Sequence, residues 1–252
     1  MVLRIAVSAL CLSLMLCWTA QSQDWLVAQG QNQERIAGLL ALPEVYGVDP
    51  CELFVARKID LYSSASTAAS PIGVIERLNP PRPPAQPDCD EPVVVVRRLV
   101  DNSSDKLPFD ESGYEYRKAV VYERSGRWFR IAIPKGSAWI QRSDDGDFMP
   151  YPDELKEEAF STYLRQGWNG NLSQAPGGPS TAAPSVWRSH ASEEIPIRII
   201  ATQIVRGESW IHIRFETERC GVTVGALPPL EGWIPAHLPS KATSVWFYSR
   251  GC

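Results

Sequence analysis

A chain of 252 residues with 29 acidic and 25 basic side chains carries a formal net charge of −4. That balance excludes the basic stripe that nucleic-acid binding requires, and it makes an anionic membrane surface a poor partner. High counts of tryptophan (9) and proline (21), with little long helical periodicity, point to an all-β architecture with many turns.

The first element is a leader. Arg4 is the only charge before Asp24, Ile5 to Ala20 is almost wholly apolar, and Ala20, Gln21 and Ser22 form a small-x-small cleavage signature. This is the layout of a secretory signal peptide over residues 1–22, and the apolar run is shorter than the roughly 20 residues that span a bilayer. Cys17 follows Leu16, where a bacterial lipobox needs a small residue. Export followed by cleavage predicts a periplasmic or secreted protein with no stable membrane insertion. Cys11 and Cys17 leave with the leader, and Cys51, Cys89, Cys220 and Cys252 remain. Four cysteines allow three pairings. They fall as one pair in each half, so the expected bridges are Cys51–Cys89 and Cys220–Cys252. Each would close a loop of roughly three dozen residues, worth about 3–4 kcal/mol in the chain-entropy account.

After a polar segment and the apolar run Ile36 to Leu42, strands are predicted over Leu53 to Tyr62 and Ile72 to Leu78, around a loop of small residues. Pro80 to Pro87 reads as a stiff extended connection. Further strands are predicted over Val93 to Leu99, Tyr116 to Glu123, Trp128 to Ile133 and Ala138 to Gln141. Acidic residues after Pro152 and an apolar face of Leu155, Ala159, Phe160 and Tyr163 predict one helix, from Glu154 to about Arg165, ended by Gly167.

The second half repeats the first in order. Asp60-Leu-Tyr62 with Ser66-Thr-Ala-Ala-Ser-Pro71 matches Asn171-Leu-Ser173 with Ser180-Thr-Ala-Ala-Pro184. Gly126-Arg-Trp128-Phe-Arg-Ile131 matches Glu208-Ser-Trp210-Ile-His-Ile213, and Ala138-Trp-Ile-Gln141 matches Gly232-Trp-Ile-Pro235. Phe148 to Tyr151 has its counterpart in Trp246 to Tyr248, and the second copy carries an insertion from Glu216 to Leu230. A turn-x-Trp-aliphatic hairpin followed by Gly-Trp-Ile resembles the distal and closing strands of bacterial SH3-like domains, with Ala138 standing where that family usually has glycine. The resemblance implies two small SH3-like β-barrels in tandem: residues 36–150, a connecting helix over 151–166, and residues 167–252. It also implies binding rather than turnover, with a cell-envelope peptide, glycan or protein as partner.

No catalytic constellation emerges. His190, His212 and His237 lack zinc-ligand spacing, and Ser143 to Asp147 lacks the ligand ladder of a calcium loop. Gly207-Glu-Ser-Trp-Ile211 lacks the second glycine of a nucleophile elbow and reads as a hairpin turn. Neither a metal nor a cofactor is expected. Trp128, Trp139, Trp210 and Trp233 alternate with aliphatics, so core positions are expected among them. Tyr62, Trp168 and Trp187 flank loops and are the expected lining of a ligand groove. Three functions follow: a non-enzymatic envelope-binding module first, an inhibitor or immunity-type protein that blocks a secreted enzyme second, and a cell-wall hydrolase last, for want of a nucleophile–base pair.

Overall fold

A computed structural model describes residues 34–46, 58–78, 93–111, 117–142, 148–156, 162–189, 195–219, 222–223 and 227–247. Residues 1–22, the four cysteines Cys51, Cys89, Cys220 and Cys252, the proline-rich stretch, His190 and residues 143–147 lie outside them.

Apolar alternation broken by tight turns makes the chain mostly β. The first sheet contains β1 (Gly38–Ala41), β2 (Ile59–Tyr62), β3 (Pro71–Leu78), β4 (Val93–Arg98), β5 (Ser104–Lys106), β6 (Asp110–Glu111), β7 (Arg117–Ser125), β8 (Trp128–Ile133), β9 (Gly136–Gln141) and β10 (Phe148–Pro150). The second contains β11 (Thr162–Leu164), β12 (Asn171–Ser173), β13 (Ser180–Ala182), β14 (Ile195–Val205), β15 (Glu208–Phe215), β18 (Glu231–Pro235) and β19 (Val245–Phe247). Between β15 and β18 a small ribbon joins β16 (Glu218–Arg219) to β17 (Val222–Thr223). Among the described residues helix is confined to single turns: α1 (Pro43–Tyr46), α2 (Ser185–Arg188) and a 3-10 turn at Asp153–Lys156. Among the described residues no helix is long and apolar enough to cross a membrane.

The helix expected from Glu154 to Arg165 does not extend that way. Among the described residues of that range, Asp153–Lys156 is a 3-10 turn and Thr162–Leu164 is a strand held between β14 and β19. Thr162, Tyr163 and Leu164 are all buried, as befits a strand covered on both faces, and the Thr162 hydroxyl donates to the Ile197 carbonyl at 2.8 Å. Pairing with distant strands has overridden a local helical pattern.

Read from its last strand, the first sheet runs β10-β1-β7-β8-β9-β2-β3 and then continues through β4 and β5, while β6 pairs beside β7. The second runs β19-β11-β14-β15-β18-β12-β13. In each, the first strand lies between the last strand and the longest one. The longest strands, β7 and β14, each carry a bulge against the next strand, at Tyr122 and at Ile200. Gly38 lets β1 and β10 approach closely, since a Cβ there would stand 2.3 Å from the Met149 carbonyl. Where the SH3-like pattern asks for glycine, Gly232 lies against Leu172, and in the first sheet Ala138 packs fully buried.

Two cores form, and the second is not built by the second half alone. Leu40, Ala119, Val121, Phe129 and Ile131 fill the first core. Their neighbours on the other face of the same strands, Leu39, Val120 and Ala132, enter the second core, joined by Ile36, Tyr151 and Leu155. The β1-β7-β8 part of the first sheet is therefore covered on both faces, which explains why Ala119, Val120 and Val121 form an unbroken apolar run. Tyr151 donates its hydroxyl to the carbonyls of Ala236 and Val245, at 3.0 and 3.2 Å. The His237 Nε2 donates to the Ile36 carbonyl at 3.0 Å, and its ring meets Tyr151 edge-on at 5.1 Å.

This contact has a pH signature. Burial, and then the charge of Arg35, pull the His237 imidazole down to about 4, against the Ile36 carbonyl, which favours the charged ring. The unfolded chain protonates this ring near 6.5 while the folded one resists until about 4. Stability from this residue is thus complete above pH 6.5 and is lost as pH falls toward 4, by up to about 3 kcal/mol. Urea unfolding between pH 7 and pH 4 should show a slope that His237→Gln flattens; equal slopes would show that the ring is not held neutral.

Candidate functional site

Alternation places the site. On β8, Phe129 and Ile131 point into the first core with no exposed surface, so Trp128 and Arg130 point outward. On β9, Ala138 and Ile140 take the inner positions and leave Trp139 outside. Register then gathers these residues: Trp139 stands opposite Arg130 on one side and Tyr62 on the other. The Tyr62 and Trp128 rings meet edge to face, with centroids 5.2 Å apart at 87°. Tyr62, Trp128 and Trp139 are half-buried and form an aromatic platform on the outer face of β2, β9 and β8. Arg130 is fixed beside them. It bonds Ser137 at 3.1 Å, pairs with Glu34 at 2.5 Å and Glu123 at 3.2 Å, and lies over the Tyr122 ring. Partial burial works against its charge, but the two carboxylates outweigh that and hold the guanidinium above its usual range.

The second sheet has a platform at corresponding positions. Ile211, Ile213 and Ile234 point inward, leaving Trp210, His212 and Trp233 half-buried on the outside. Trp233 faces His212 across the strands, and their rings stack 4.9 Å apart at 11°. Ser173 takes the place opposite Trp233 that Tyr62 takes opposite Trp139. The two tryptophan positions recur, while the tyrosine and arginine become serine and histidine. Planar amphipathic rings held on rigid strands can stack against a sugar face or pack against a peptide.

Of the three residues expected to line a groove, Tyr62 alone lies on this surface. Trp168 is 6% exposed, donates its indole N–H to the Asn171 carbonyl at 3.0 Å, and packs on Phe215. Trp187 is 0% exposed, donates to the Pro228 carbonyl at 3.1 Å, and lies 4.7 Å from the same phenylalanine. Both rings fill the second core, packed on Phe215, with each N–H satisfied by a backbone carbonyl. Conversely Trp128, Trp139, Trp210 and Trp233 face outward. The signal for this was already in the alternation, since Phe129 and Ile131, like Ile211 and Ile213, claim the inner positions.

Other chemistry is sparse. Among the described residues no three His, Cys, Asp or Glu side chains cluster as metal ligands. Arg206 and Gly207 form the hairpin turn between β14 and β15, both with positive φ, so Ser209 sits on a strand and not on a nucleophile elbow. A separate cleft of about 540 Å³ opens where β2, β3, β4 and the end of β8 meet. Its walls are Leu61, Ile72, Val96, Leu99, Val100 and Ile133, and Arg98 is the one charged residue in its lining. Comparison with protein families, curated proteins and solved structures finds no match for this chain.

Proposed function

We propose that this chain is an exported, non-enzymatic binding protein built from two SH3-like β modules, which recognises a cell-envelope ligand through the aromatic platforms on its two sheets. The observation that carries the reading is the recurrence of outward tryptophans at equivalent registers, Trp128 with Trp139 and Trp210 with Trp233. Core packing does not account for them, because aliphatic residues already occupy the inner positions. The common strand order and the matching bulges support descent of the two halves from one module. In each, a path of five antiparallel strands, β10-β1-β7-β8-β9 and β19-β11-β14-β15-β18, supplies the number that a small SH3-like barrel needs. Periplasmic or secreted location and the bridges Cys51–Cys89 and Cys220–Cys252 belong to the same reading, on the strength of the leader and the even cysteine count.

Retention on purified sacculi tests it. The protein should be retained, and Trp128→Ala with Trp139→Ala, or Trp210→Ala with Trp233→Ala, should weaken binding by about 2 kcal/mol, roughly 30-fold. Cooperative unfolding should persist in both double variants. Undiminished retention of both would remove the platforms from the reading, and stoichiometric capture of one secreted enzyme in place of wall material would favour the inhibitor function.

A further inference from the structure

We propose that the cleft between the β3–β4 hairpin and the end of β8 is a second binding site, for a single-chain amphiphile with an aliphatic body and one anionic head. It belongs to the first sheet, because among the described residues β4 and β5, which extend that sheet, have no counterpart in the second. Its volume of about 540 Å³ lies within the range of small-molecule sites, about 300–1,000 Å³.

The apolar wall stands out on the surface. Among the described residues six large hydrophobics are exposed, and three of them, Ile72 (41%), Leu99 (50%) and Val100 (89%), line this one cleft. Leu99 and Val100 sit in a turn, where polar residues are the rule. The turn is also held in place. The Leu99 amide donates to the Ile72 carbonyl at 3.0 Å, the Arg98 amide to the Ser103 carbonyl at 2.9 Å, and the Ser103 amide to the Asp101 carboxylate at 3.0 Å. Val100 is thus presented to solvent on a fixed backbone, which costs solvation unless an apolar group covers it.

Charge selects the head group. Arg98 donates from Nη2 to Asp105 at 3.0 Å and stands 4.0 Å from Asp101, so its five-donor guanidinium keeps capacity for another acceptor. Asp105 is shared with Lys135 at 3.5 Å, and Asp101 is engaged by the amide and hydroxyl of Ser103. A carboxylate at the mouth would meet the one charge in the lining, and that charge is a cation. A protein partner fits less well: a stable interface needs about 800 Å² per side, and beyond these three side chains the surface turns charged at Asp101, Asp105 and Lys135.

Calorimetric titration of the full chain with decanoate, with decanol as the uncharged control, tests the site. Saturable one-to-one uptake of decanoate with a negative heat-capacity change is expected. Arg98→Gln should weaken decanoate about tenfold and leave decanol unchanged. Val100→Ser, at a position too exposed to matter for folding, should weaken both ligands. Absence of saturable uptake, uptake indifferent to both variants, or a dimer that Val100→Ser converts to monomer would overturn the proposal. None of these results bears on retention by sacculi, which reads the aromatic platforms.

Discussion

Trp187→Ala is expected to destabilise the protein by about 3–5 kcal/mol, the cost of emptying a large, fully buried aromatic site. The indole has no exposed surface, packs 4.7 Å from Phe215, and satisfies its N–H on the Pro228 carbonyl. Truncation therefore leaves a cavity and an unpaired carbonyl in the core that both halves share. Leu39, Val120 and Ala132 of the first sheet belong to that core, so the loss should appear as one earlier cooperative transition in urea, reported equally by probes in either half. A near-wild-type midpoint with ligand retention lost would instead return Trp187 to the role of a groove residue.

The second large effect concerns a charge pair. Lys118 on β7 hydrogen-bonds and ion-pairs with Glu154 on the 3-10 turn, whose side chain is 1% exposed. The other carboxylate oxygen, Oε2, has no hydrogen-bond partner among the described residues. Lys118→Met would strand a carboxylate in a buried position, and an uncompensated buried charge costs about 3–5 kcal/mol. Replacing both residues, Lys118→Met with Glu154→Leu, should recover most of that loss, because an apolar pair of similar volume packs about as well as the ions. Urea unfolding of the two single variants and the double variant forms the cycle. A Lys118→Met loss below about 1 kcal/mol would place the pair with ordinary surface salt bridges and detach the turn at Asp153–Lys156 from the first sheet.

Local signals located the longer strands of the first half. Trp128 to Ile133 is found as expected, and the ranges expected around Ile72 to Leu78, Val93 to Leu99 and Ala138 to Gln141 differ from those found by a residue or two. Alternation and turn residues are properties of neighbours in the chain, so they are readable there. The same alternation also held the orientation of Trp128 and Trp210, since Phe129, Ile131, Ile211 and Ile213 take the inner positions, but tryptophan's usual burial led to the expectation of core positions among them. Trp168 and Trp187 were not readable: both rings are held inside by Phe215, and the Trp187 N–H by the Pro228 carbonyl, partners far along the chain.

What the residues alone determined was a mostly β protein, several of its strands, and a set of motifs recurring in order along the chain. Tertiary structure decided which face of each two-sided apolar strand meets which core. It sent Leu40 and Val121 into one, and Leu39 and Val120 into the other. It also drew Thr162–Leu164 out of a helical pattern and into a sheet. The physical reason is the same in each case: the burial that settles these choices comes from partners far along the chain, such as Ile36 and His237, 201 positions apart.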